Sequence, residues 1–248
     1  MRGIALTHTK GGVGKTATTQ NLSAALGMKG FRVLMVDMDR QMTLTAHSGF
    51  KEGSELLPSI LTGDKGNILP FRTSMQNVDI ITGNGGIWEL FKRRRIDIES
   101  AGLNFKSYME SLRSRYDYLL LDGPPSWGAL NEVMLFATDE IIIPCKPTEG
   151  NLLAIRPTLN DVDSWLKEHP WQQIRVRRVL WTQIRKNELS EYMIDRLKGT
   201  DISTFQTIIR HSQMIERAET FHETIFTFSP RSAAAIDYKA LAEELLNA

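Results

Sequence analysis

A chain of 248 residues with 42% hydrophobic and 24% charged residues holds enough apolar material for a substantial core and has an ordinary globular composition. Its formal net charge of +1 leaves any nucleic-acid binding to local basic patches rather than to bulk charge. The single cysteine, Cys145, excludes an intrachain disulfide framework and any metal site of paired cysteines within one chain, and it points to a reducing compartment. No run approaches the ~18 apolar residues that span a bilayer.

In chain order, residues 4–7 are a short apolar run close behind the N-terminus, which leaves no room for a signal peptide or a separate N-terminal DNA-reading domain. Residues 16–28 follow a Gly-rich loop with helical periodicity, and Gly30 stands where a helix C-cap glycine belongs. Residues 32–37 (RVLMVD) read as a buried strand ending in an acid, and 78–81, 118–122 and 140–144 read the same way. Helices are predicted over 41–47, 54–61, 88–95, 105–115, 127–137 and 151–167. Strands follow at 178–182 and 204–209, and helices at 188–198 and 233–246. Segments 62–76 and 83–104 are the least regular and read as mobile insertions. Doubly buried strands alternating with helices predict an α/β fold with three layers, a mostly parallel twisted sheet carrying helices on both faces, in a single domain over 1–248.

The residues that carry chemistry begin at Lys10-Gly11-Gly12-Val13-Gly14-Lys15-Thr16, directly after a strand and opening a helix. Glycines let successive N–H groups curl inward toward phosphate oxygens, the helix adds its positive dipole end, and Ala17 extends that first turn. In such a phosphate loop Lys15 neutralises the β- and γ-phosphates and the Thr16 hydroxyl ligates Mg²⁺. The usual G-x-x-x-x-G-K-[ST] pattern needs glycine at position 9; this chain has Thr9, and an additional lysine, Lys10, at the loop entrance. In an open parallel sheet, acids at strand carboxyl ends face that loop. Asp37 and Asp39 lie after one such strand and Asp122 ends another, ahead of Gly123-Pro124-Pro125.

This arrangement resembles the deviant Walker A motif, K-G-G-x-G-K-[ST], of the ParA/MinD family of P-loop ATPases. The segment Val36-Asp37-Met38-Asp39-Arg40-Gln41 resembles that family's V-D-x-D-P-Q, with Arg40 in place of proline. Asp122-Gly123-Pro124-Pro125 resembles its Walker B segment, and Ile142 to Pro147 its I-P-x-x-P run. The resemblance runs over nearly the whole chain and weakens after about residue 150. It implies ATP and Mg²⁺ as cofactors, and a homodimer that sandwiches two ATPs with Lys10 reaching the partner's nucleotide. It further implies that Asp39 positions the attacking water, that Asp37 and Asp122 join Thr16 in the magnesium shell, and that Thr182 and Gln183 lie in the base-binding loop. Adenine is implied by the family alone, because Ile209-Arg210 lacks the proline that usually meets it.

Within the family, one cysteine per chain argues against an interfacial iron–sulfur cluster. The C-terminal Ala-Leu-Ala-Glu-Glu-Leu-Leu-Asn-Ala lacks the basic face of a membrane-docking helix. What remains is the small ParA type: a slow ATPase of the cytoplasm and nucleoid that binds DNA without sequence preference and is released by a ParB-like or other cargo-adaptor protein. Arg231, Lys198, Arg185 and Lys186 are the DNA-binding candidates, with Lys92 to Arg95 and Arg175, Arg177 and Arg178 as further basic clusters. The other readings are a regulatory P-loop ATPase acting on something other than DNA, and a P-loop metabolic kinase or ligase.

Overall fold

The computed structural model describes residues 1–64, 69–93 and 96–247. Its centre is a seven-stranded sheet among the described residues: β1 (Arg2–Leu6), β2 (Val33–Asp37), β3 (Phe71–Arg72), β4 (Val78–Ile81), β5 (Tyr118–Asp122), β6 (Glu140–Cys145) and β7 (Val176–Trp181). The spatial order is β3-β4-β2-β5-β1-β6-β7, and every pairing is parallel except the short edge strand β3 against β4.

Strand side chains alternate between two cores, as a pleat of period two requires. Leu34, Val36, Leu119 and Leu121 meet α3 (Leu56–Thr62), α5 (Ile98–Ser111), α6 (Ala129–Leu135) and α7 (Glu149–Glu168) on one face. Val33, Met35, Ile4 and Leu120 meet α1 (Lys15–Met28), α10 (Ile225–Phe228) and α11 (Ala233–Leu246) on the other. The predicted three-layer α/β architecture is therefore the observed one. Short helices α2 (Thr43–His47) and α4 (Ile87–Lys92), with α8 (Glu188–Asp195) and α9 (Gln213–Thr220), complete the described elements.

Three sequence expectations are corrected. Residues 204–209 do not form a strand: beside β7 the segment makes an isolated bridge from Thr204 to Val179, and the Phe205 and Ile209 amides donate to the Val179 and Trp181 carbonyls. The amides of Gln206 and Thr207 are instead taken by the two carboxylate oxygens of Glu244 on α11, each at 2.7 Å. Segment 83–104 is not an irregular insertion, since it carries α4 and the first half of α5. The Asp97 carboxylate caps α5 by accepting the Ser100 amide, so that helix starts seven residues earlier than its apolar periodicity suggested. Segment 62–76 contributes β3; residues 65–68 of it, and the predicted end of the 88–95 helix at 94–95, lie outside the described residues.

Candidate functional site: a phosphate loop at the carboxyl edge of the sheet

Parallel strands bring their carboxyl ends to one edge, so Leu6, Asp37, Asp122, Cys145 and Trp181 deliver their following loops to the same place. After β1 the chain curls through Gly12 at φ 66° and Gly14 at φ 91°, both in the left-handed region that glycine enters without steric cost. Gly14 is also the N-cap of α1, so the curl ends with the helix's free amides aimed into the loop. The loop is braced from β7's side: Thr182 Oγ1 donates to the Val13 carbonyl at 2.7 Å, and Gln183 Nε2 to that of Gly12 at 3.0 Å.

Lys15 is buried, with its amine donating to the carbonyls of His8 (3.3 Å) and Lys10 (3.2 Å). Burial lowers its pKa, while Asp122 and Asp39 pull the other way. Lys10 is exposed at the loop entrance. The Thr16 hydroxyl donates to Asp122 Oδ2 at 2.7 Å, and Thr19 approaches the other oxygen at 3.4 Å. Asp122 is fully buried beside Asp37, its register partner on β2, and burial with that neighbouring charge raises its pKa.

Asp37 holds a different position from the one the sequence suggested. One oxygen accepts the Thr45 amide (2.8 Å) and hydroxyl (2.7 Å), and the other the Asp39 amide (3.1 Å). Thr45 in turn accepts the Gly83 amide at 2.8 Å. Of the three residues assigned to the metal, Thr16 and Asp122 touch each other, whereas Asp37 ties α2 and the loop after β4 to the end of β2. Asp39 stays at the rim, accepting the Gln41 amide at 3.0 Å.

These groups line a cavity of about 370 Å³ that takes in Gly11, Gly12, Gly14, Lys15, Thr16, Ala17, Asp39, Thr182 and Gln183. Val13 is fully buried, so its contribution to a ligand can come only through the backbone. The cavity also contains Ile209 and Arg210, the place where the resemblance sets the proline that meets adenine, and residues that sequence reasoning missed: His211 and Ser212, then Ile215, Glu216 and Glu219 of α9, His47 of α2 and Tyr238 of α11. Arg210 is clamped there by Asp237, which takes its backbone amide at 2.9 Å, Nε at 3.0 Å and Nη2 at 2.6 Å. Only the Asn187, Ser212 and Ser232 caps of the surrounding helices were open to sequence reading.

The basic candidates scatter. Arg185, Lys186 and Arg231 are exposed, and Lys198 pairs with Asp195 at 2.6 Å. Arg177 pairs with Asp163, and the Arg178 guanidinium lies 4.0 Å from the Phe205 ring centre, so neither is a free surface charge. Arg93 pairs with Glu89 at 2.9 Å; Arg94 and Arg95 lie outside the described residues. Among the described residues no helix is long and apolar enough to cross a membrane, and no cluster of three His, Cys, Asp or Glu could hold a metal.

Fold and loop together define a P-loop nucleotide-binding protein with its site at the carboxyl edge of a parallel sheet. A family model described as an AAA domain matches residues 1–175. The chain is 30% identical over 251 residues to the sporulation initiation inhibitor protein Soj of Bacillus subtilis, covering 98% of this chain and 97% of Soj. It is 27% identical over 263 residues to a ParA family protein of Chlamydia trachomatis, covering 99% and 98%. In fold it is similar to the septum site-determining protein MinD of Pyrococcus horikoshii complexed with Mg-ADP, with a TM-score of 0.76 and 24% identity over 98% of this chain and 95% of that one. The chain belongs to the ParA/MinD family of ATPases.

Proposed function

We propose that this protein is a partition or positioning ATPase that dimerises around ATP, binds DNA without sequence preference in that state, and lets go when a ParB-like or other cargo adaptor stimulates hydrolysis. The observation that carries the reading is the bond from Thr16 to the fully buried Asp122 under a glycine loop whose entrance displays a second, exposed lysine, Lys10. Residues 1–248 act as one unit, working in the cytoplasm at the nucleoid.

Lys15 and the loop amides from Gly11 to Ala17 receive the phosphates, and Lys15 exchanges its two carbonyl partners for phosphate oxygens. Thr16 and Asp122 are hard oxygen donors of the kind Mg²⁺ prefers and would hold it. Mg²⁺ bound there would supply neutralisation of phosphate charge. Asp39 orients the attacking water, and Asp37 holds the Asp39 loop in place through Thr45 and the Asp39 amide. Lys10 from each subunit reaches its partner's nucleotide, so the charge that stabilises transfer is complete only in the dimer. Slow turnover without the adaptor follows from that. Thr182 and Gln183, which brace the phosphate loop through the Val13 and Gly12 carbonyls, begin the base-binding loop. DNA contacts come from the exposed Arg185, Lys186 and Arg231, and from Lys198 once it leaves Asp195.

The test compares wild type, Lys10→Ala and Asp39→Ala by ATP-dependent sedimentation and by DNA retention. Lys10→Ala is expected to stay monomeric with ATP and to lose DNA. Asp39→Ala is expected to form a long-lived ATP dimer that holds DNA at low salt. Dimerisation and turnover of Lys10→Ala at wild-type levels would remove the sandwich from the mechanism, and an ATP-locked dimer that ignores DNA would remove partition.

A further inference from the structure

Helix α2 spans five residues and starts at Met42, whose φ of 53° lies in the left-handed region, so its placement depends on contacts from outside. On the sheet side, Asp37 takes the Thr45 amide and hydroxyl, and Gln20 of α1 donates to the His47 carbonyl at 3.0 Å. Toward α9, His47 Nδ1 stands 3.8 Å from Glu219 Oε1. Both side chains line the nucleotide cavity and are only 20% and 22% exposed. At 3.8 Å no hydrogen bond has formed, and the buried Nδ1 has no other partner among the described residues. An unpartnered buried ring nitrogen costs free energy, which an approach of about 1 Å recovers.

We propose that His47 and Glu219 form a clasp between α2 and α9 that closes the cavity wall beside bound nucleotide and sets how slowly ADP leaves. This rests on the nucleotide site alone and needs neither DNA nor an adaptor. Both are positioning residues, outside the phosphate loop. Ile209 to Ser212 line the cavity directly before α9, so drawing Glu219 toward His47 carries that wall inward. Glu219 faces Glu216 on its own helix, His47 on α2 and Tyr238 on α11, while His47 also faces His222 in the turn after α9. Burial, then the Glu216 charge, pushes the Glu219 carboxyl up to about 7. Burial and His222 lower the His47 pKa, so the ring is neutral near pH 7. Below that point the carboxyl keeps a proton that it can donate to Nδ1. Above it the pair has lost that proton, and the cavity carries another negative charge beside a polyphosphate. The grip on ADP therefore falls as pH rises through about 7.

The test follows release of radiolabelled Mg-ADP, chased with excess unlabelled ADP, between about pH 6 and pH 8. It compares wild type, Glu219→Gln, Glu219→Ala, His47→Ala and the double alanine variant, with thermal melts to show that each is folded. Wild-type release is expected to quicken about three- to tenfold across that range, the scale of one hydrogen bond. Glu219→Gln keeps a neutral donor for Nδ1, so it is expected to stay near the slow wild-type rate with no rise. Each single alanine variant is expected to release fast throughout, and the double variant no faster, because one clasp can be lost only once. An equal rise with pH in wild type and Glu219→Gln, or alanine effects that add, overturns the clasp and leaves the nucleotide site standing. Wild type that holds no ADP overturns the site beneath it. If an alanine change unfolds the chain, the comparison of wild type with Glu219→Gln decides by itself.

Discussion

Replacing Asp237 by alanine asks whether the C-terminal helix holds the nucleotide-facing loop. Asp237 is only 7% exposed, and its carboxylate takes both the backbone amide and the guanidinium of Arg210. A hydrogen bond to a charged group contributes about 1.5–3 kcal/mol. The Arg210 side chain is 48% exposed, however, so water screens the guanidinium half and much of that share is lost. The amide bond is better shielded, and losing it strands a part-buried N–H. Together these give about 2–3 kcal/mol for Asp237→Ala and about 1 kcal/mol for Asp237→Asn, which keeps an acceptor for the amide. The functional consequence follows from position. Ile209 to Ser212 line the nucleotide cavity, so a loosened loop weakens ADP and ATP binding while Lys15, Thr16 and Asp122 stay in place. A loss of roughly tenfold in ADP affinity corresponds to about 1.4 kcal/mol. Urea unfolding without nucleotide reads the first effect, calorimetric ADP titration the second, and kcat at saturating ATP serves as the control. If Asp237→Ala unfolds within about 0.5 kcal/mol of wild type, the spread of an ordinary surface change, or binds ADP as wild type does, the clamp has no such role.

Gly102→Ala should cost about 1–3 kcal/mol or more, because the new methyl would fall 2.2 Å from the ring of the fully buried Phe136; a melting temperature equal to wild type would refute that close approach. Burial, with Glu216 adding repulsion, pushes the Glu219 carboxyl up to about 7 from an ordinary 4.5. Its proton is held more tightly in the native chain, so this contribution is complete below pH 4.5 and is lost as pH rises through about 7. The difference in unfolding free energy between wild type and Glu219→Gln, measured without nucleotide, should therefore change by on the order of 2 kcal/mol across that window, and a flat difference would refute it. Cys145 is fully buried and its thiol is pushed up to about 12, so it should resist iodoacetamide at pH 8 until urea unfolds the chain; rapid labelling of native protein would contradict that placement.

What could be read from the chain divides by the range of the interaction involved. The phosphate loop was legible because its chemistry is contiguous: glycines, lysine and threonine sit within seven residues, and the strand before them and helix after them are local features. Asp122 was legible because an apolar strand that ends in an acid has only one edge of a parallel sheet to face. Asp37 reads identically on sequence. Its task is set by Thr45, eight residues on, whose amide and hydroxyl reach back only once α2 has formed, and nothing in Val36-Asp37-Met38-Asp39 announces that.

The same argument accounts for residues 204–219. A β-branched run at 204–209 has the propensity of a strand, but Glu244, 37 residues further along than Thr207, takes the Gln206 and Thr207 amides, so the pairing that Phe205 and Ile209 make with β7 is interrupted between them. The next stretch, HSQMIERAET, has few apolar residues to mark a helix, yet Ser212 caps α9 and Glu219 comes to lie 3.8 Å from His47 of α2. Both line the nucleotide cavity. The phosphate end of the site is thus built by one segment and the remaining walls by at least four: the loop after β2 with α2, the end of β7, α9 and α11. A triphosphate demands the same few groups from any chain that binds it, which is why a short motif betrays that end. The other walls are assembled from side chains far apart in sequence, so the residues that choose the rest of the ligand become visible only when the chain is folded.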